Sequence, residues 1–181
     1  MSWHTEALLF EAERLALRAD ELGPQNYMSH FALGRVLTQK GELEGSVAPL
    51  ELAVALNPSS ILVLNALGQA YLYSDRMDDV ARVFKRISRI DPIQDTVSLW
   101  LRAWAAWQRG ECVDALGTIQ SMPVIPPEAM KLPAVIHLCL GDTEAAAEAV
   151  RTFLDRYPDS TLAREAETNA RNWTADDPRK R

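Results

Sequence analysis

Residues 58–92 read PSSILVLNALGQAYLYSDRMDDVARVFKRISRIDP, a stretch bounded by two prolines and helical in spacing between them. Ile61-Leu62-Val63-Leu64 alone would pass for a strand, but the apolar period continues through Leu67 and Tyr71 at steps of three and four, which is the helical period. Ser59 and Ser60 offer an N-cap to this first helix, and Asp75 or Asp78 to a second one. Arg86 and Arg89 fall near the end of the second helix, where a cation suits the macrodipole. The stretch therefore predicts two helices and a tight reversal.

The same frame extends outward. Pro24, Pro58, Pro92 and Pro126 are separated by 34 residues each. Between the first three, Leu33 matches Leu67, Gly34 matches Gly68, Leu37 matches Tyr71, Leu50 matches Phe84 and Leu56 matches Ile90. A period of this length marks an array of supersecondary units that bury their apolar faces on one another. In the first unit Leu33, Gly34 and Leu37 share a face of one helix, while Val47, Leu50, Ala53, Val54 and Leu56 supply the face of another. Gly41 lies between them, where a left-handed residue ends a helix.

These units resemble tetratricopeptide repeats. Gly68, Tyr71, Phe84 and Pro92 match the family's small, large, aromatic and proline positions, as do Gly34, Leu37, Ser46, Leu50, Ala53 and Pro58 in the preceding unit; Val80 and Ile87 depart from it, standing where the family prefers Ala. The resemblance implies an all-α, right-handed superhelical solenoid of antiparallel helix pairs with a C-terminal capping helix. The expected parts are an N-terminal half-repeat helix at 1–23, repeats at 24–58 and 59–92, an irregular repeat at 93–126, a shortened one at 127–158, a cap at 159–173 and a flexible tail at 174–181. In the third unit Gly110, Ala115 and Ile119 fall one residue late, which a shift in the hairpin turn would explain. In the fourth, Pro127 and Glu128 suit a first helical turn, whereas Pro133 should kink its helix or delay its start.

Composition narrows the function classes. The chain has 181 residues, 48% of them apolar and 24% charged, with a formal charge of −6, so a general binder of nucleic-acid phosphates is not expected. Cys112 and Cys139 lack any CxxC or His partner spacing and are read as two buried thiols, with no metal and no cofactor expected. Glu6, Glu11, Glu13, Arg14 and Arg18 interrupt any secretory apolar run, and no stretch is apolar enough for membrane insertion, which makes a cytoplasmic location the default expectation. His4, His30 and His137 are scattered, no phosphate loop, HExxH or GxSxG is present, and no enzyme is expected.

In the family that the units resemble, ligands lie in a concave groove made by the first helices. Carried over residue by residue, the groove positions are Met28, Phe31, Arg35, Thr38 and Gln39, then Leu62, Asn65, Gln69, Leu72 and Tyr73. The clamp for chaperone C-terminal carboxylates is not expected, because Phe31, Ala66 and Leu101 or a neighbouring Trp replace its polar residues. In the third unit Trp100, Trp104 and Trp107 form one helical stripe beside Leu99, Ala103 and Ala106, with Gln108 next to it. The stripe reads either as core or as an aromatic anchor for a partner segment. The expected partner is a protein or peptide, in a setting such as a bacterial signalling or regulatory system. The alternative is a self-assembling, secretion-chaperone-like protein that forms a homodimer through residues 1–22, using the apolar face of Trp3, Leu8 and Leu15.

Overall fold

The computed structural model describes residues 3–161, and every regular element among them is helical. In chain order these are α1 (Trp3–Leu22), α2 (Tyr27–Lys40), α3 (Leu43–Leu56), α4 (Ile61–Tyr73), α5 (Met77–Ile90), α6 (Thr96–Gln108), α7 (Cys112–Gln120), a 3-10 turn (Pro127–Ala129), α8 (Leu132–Cys139) and α9 (Thr143–Arg156). Several starts are capped by polar side chains that satisfy otherwise orphaned amides: Asn26 accepts from the Met28 N–H at 3.0 Å, Ser60 from Val63 at 3.4 Å, Asp95 from Ser98 at 2.7 Å and Asp142 from Ala145 at 2.9 Å. Each hairpin reverses through a left-handed residue, with φ of 81° at Gly41, 58° at Asp75, 77° at Gly110 and 79° at Gly141. Asp75 fills the glycine role because a short polar side chain tolerates this region better than most. The described chain forms two compact units, one running to Val83 and one from Phe84.

In the first unit α1 packs on α2, α2 pairs with α3, and α4 lies against both α2 and α3. The α2–α3 approach is set by Gly34, where an added Cβ would stand 2.4 Å from Leu50 Cγ and 3.1 Å from the Ser46 carbonyl oxygen. Leu50 and Ser46 are themselves completely buried. Helix α3 continues through Pro49, which has no N–H to give the Gly45 carbonyl. His30 is buried and spans α1 and the following turn: Nδ1 lies 2.6 Å from the Asp20 carboxylate and Nε2 lies 2.9 Å from the Pro24 carbonyl. Lys40 joins Glu13 of α1 to Glu42 and sits over the Phe10 ring.

In the second unit α6 pairs with α7, α7 packs on α8, and α8 pairs with α9. Its core is built from Ala103 and Ala106 of α6, Ala115 and Ile119 of α7, Met122, and Leu132 and Ile136 of α8. Pro133 occupies the first turn of α8, so the helix starts late, after the 3-10 turn, and is not kinked.

Two expectations are corrected here. Cys112 and Cys139 are not free thiols but a disulfide, with Cα atoms 6.2 Å apart across α7 and α8. The spacing of 27 residues carries no sign of it, because the pair meets only when the two helices pack. The extra residue of the third unit is also not in its hairpin turn. Thr96 and Gln108 follow Ile61 and Tyr73, respectively, by 35 residues, and Gly110 follows Asp75 by the same step, so the shift precedes α6. It sits in the link 91–95, where Gln94 takes a left-handed φ of 57° and donates to Ser88 Oγ at 2.7 Å. The capping helix expected at 159–173 and the tail at 174–181 fall mostly or wholly outside the described residues, and the Trp3 side chain outside the described side chains.

Candidate functional site

Helices α2 and α4 place Arg35 and Gln69 at the same site of consecutive repeats, 34 residues apart. The Arg35 guanidinium donates from Nη1 to the Gln69 side-chain oxygen, and the Gln69 amide donates to the Tyr73 hydroxyl at 3.1 Å. Gln69 and Tyr73 share one face of α4 because they are one turn apart. Both are buried, and Arg35 is half-buried. Burial pulls the Arg35 guanidinium below its usual range, partly offset by Tyr73; burial likewise pushes the Tyr73 phenol up, against the Gln69 bond and the Arg35 charge. The groups that Arg35 touches are neutral, so this cation lacks a carboxylate among the described residues. Such a charge, held away from water, favours an incoming anion or strong acceptor.

The neighbouring expected residues divide by exposure. Asn65 is buried one turn before Gln69, while Phe31 and Gln39 differ, the first half-buried and the second exposed. Counted with the 35-residue step, Trp100, Trp104 and Gln108 of α6 stand where α4 has Asn65, Gln69 and Tyr73. The Trp100 and Trp104 rings are tilted against each other with centroids 5.8 Å apart. With Trp107 they pack on the second unit's core while staying partly exposed, so the stripe forms the edge of the core. The fully buried surface of α6 is made by Leu101 together with the small residues Ser98 and Ala103.

One polar cluster is invisible to the repeat pattern. The Tyr71 hydroxyl donates to Glu51 at 2.7 Å, Arg76 lies 4.5 Å from the Tyr71 ring centroid, and Arg76 also reaches Glu51 and Asp79. Burial, then the Glu51 bond, pushes the Tyr71 phenol far up. The repeat marks Tyr71 only as a large residue, and its pairing with Glu51, 20 residues earlier, follows no sequence period. The cluster ties α3 to the α4–α5 turn.

Residues 11–61 match the family model described as tetratricopeptide repeat. The crystal structure of TTC0263, a thermophilic TPR protein in Thermus thermophilus, superimposes with a TM-score of 0.73 at 19% identity, covering 93% of this chain and 92% of that one. The fold is that of a tetratricopeptide-repeat array. Its fold is also similar to the crystal structure of MamA protein, with a TM-score of 0.63 at 16% identity over 86% of each chain. A further MamA structure, MSR-1 C2, gives a TM-score of 0.61 at 15% identity, with 87% of this chain and 91% of that one covered. A search of curated proteins finds no match. No helix of this repeat protein, among the described residues, is long and apolar enough to cross a membrane.

Proposed function

We propose that this repeat protein is an interaction scaffold that binds a peptide segment of a protein partner on the faces of its first helices. The observation that carries the reading is the Arg35–Gln69–Tyr73 string, a half-buried cation held in place by neutral neighbours and left to engage an acceptor from outside. Phe31, Gln39 and Asn65 accompany it on α2 and α4, while Trp100, Trp104 and Trp107 offer aromatic contacts on α6, where the Gln108 amide is buried. Aromatic rings at a core edge give a partner large contact area at little ordering cost.

Selection of a randomised, displayed dodecapeptide library on the immobilised full chain tests this. An enriched sequence family is expected to bind the parent chain and to lose on the order of tenfold or more in affinity on Arg35→Met, the scale of a charge-assisted hydrogen bond. Trp104→Ala is expected to weaken peptides that dock on α6 while far-ultraviolet dichroism stays helical. Library selection without an enriched family, or peptides indifferent to both substitutions, would overturn the proposal.

A further inference from the structure

One face of α1 carries a second surface that the peptide-binding reading does not use. Leu8, Ala12, Leu15, Ala19 and Leu22 recur at alternating steps of four and three, the spacing of a coiled-coil seam with leucine and alanine in alternate layers. The seam points away from the protein's own core: Leu8, Leu15 and Leu22 are 69%, 53% and 71% exposed, whereas Ala16, on the adjoining face, is buried. A row of exposed leucines of this length is costly to leave in water. A second exposed pair on α1, Phe10 and Leu17, lies on the opposite side of the helix and does not continue as a four-three row; Lys40 stands over the Phe10 ring. The seam itself is made of leucine and alanine alone. Its rim is charged, with Glu11 and Arg18 flanking it on the side away from Ala16.

The rim decides what fits. In a parallel, in-register pairing of two such helices, Glu11 would face the partner's Ala16 and Arg18 the partner's Gly23, neither of which offers a charge. In an antiparallel pairing each leucine layer meets an alanine layer, Leu15 against Ala12 and Leu8 against Ala19, and the same register brings Glu11 of one helix beside Arg18 of the other, twice by symmetry. Glu11 and Arg18 now bond within the helix to Arg14 and Glu21. These exposed pairs contribute little, so exchanging partners costs little. We infer that the occupant of this face is a second copy of the chain, docked antiparallel through α1 in a two-fold dimer. Charge complementarity and the match of large to small layers both select this arrangement, and the inference stands independently of the peptide site.

Light scattering after size exclusion, on the full chain between about 1 and 100 micromolar, tests it. The parent chain is expected to reach dimer mass with rising concentration. Leu15→Glu is expected to remain monomeric with unchanged helical dichroism, since Leu15 is exposed. Glu11→Arg is expected to weaken the dimer several-fold, and Glu11→Arg with Arg18→Glu is expected to restore it, because the swap rebuilds both cross-helix pairs. A parent chain monomeric throughout overturns the proposal, as does a dimer indifferent to Leu15→Glu. A charge swap that fails to restore association overturns the antiparallel register.

Discussion

Gly34→Val is expected to destabilise the first unit by about 3 kcal/mol, the upper end of what overpacking a filled core usually costs. The absent Cβ of Gly34 would already lie 2.4 Å from Leu50 Cγ, and a branched side chain adds two further methyl groups to that space. Leu50 has nowhere to retreat: it is 0% exposed, and the contact is at its branching carbon, close to the α3 backbone. The Ser46 carbonyl oxygen, 3.1 Å from the same Cβ, belongs to a hydrogen-bonded helix and cannot swing aside. The remaining way to make room is to move α2 away from α3, which loosens the packing along the whole helix pair. Gly34→Ala is a less clean substitution, since a gain of up to about 1 kcal/mol in helix propensity works against the clash.

A double-mutant cycle isolates the cause. Leu50→Ala alone is expected to cost about 2–5 kcal/mol through the cavity it leaves. Combined with Gly34→Ala it should cost less than the sum, because the new methyl group enters the vacated space, and a coupling of roughly 1 kcal/mol is within reach for residues in contact. Urea melts followed by dichroism supply the numbers. Additive single effects would mean that Gly34 matters for some reason other than close approach to Leu50.

The Gly34–Leu50 contact is legible in the sequence because it repeats. Gly34 and Gly68, Leu50 and Phe84, and the prolines at 34-residue steps each report the same packing unit. Local signals are legible for a similar reason: Ser60 and Asp142 cap as their residue types favour, Gly41 turns left-handed, and Pro133 delays α8. What escapes is whatever depends on where helices meet out of period. Gly110 makes the third hairpin the conspicuous place for the one-residue insertion, yet Gln94, an ordinary polar residue, absorbs it. Arg35, Gln69 and Tyr73 stand in the sequence as three separate positions. That Arg35 reaches into the next repeat, and does so without a carboxylate, requires side-chain placement. The half-buried edge made by Trp100, Trp104 and Trp107 lies between the two readings that periodicity allows, since a helical stripe does not record how wide the buried face is.

Reducing the Cys112–Cys139 disulfide is expected to destabilise the second unit by about 3.5 kcal/mol in the chain-entropy picture, given the 27-residue separation it closes. For a unit of this size that corresponds to a fall of roughly 15–25 °C in the melting midpoint. The effect should be concentrated around α8. That helix has eight residues and follows a three-residue 3-10 turn, so it is too short to hold its shape without the packing of Leu132 and Ile136 on α6 and α7. The disulfide fixes its last residue, Cys139, to the first residue of α7, Cys112. Cys112 is buried and Cys139 is exposed, so a thiol reductant reaches the bond from the α8 side. Hydrogen exchange with and without a dithiol reductant is the direct measurement. Amides of α8 and α9 should lose protection on reduction, while those of α2–α4, in the first unit, keep theirs. Cys112→Ser with Cys139→Ser should reproduce the reduced state and no longer respond to the reductant. Equal melting midpoints before and after reduction would show that core packing alone holds α8. Bonds of this kind persist in oxidising compartments and open in reducing ones. In a cytoplasm rich in thiols the chain would therefore carry the weakened second unit, and its α8 segment would be the first part of that unit to open.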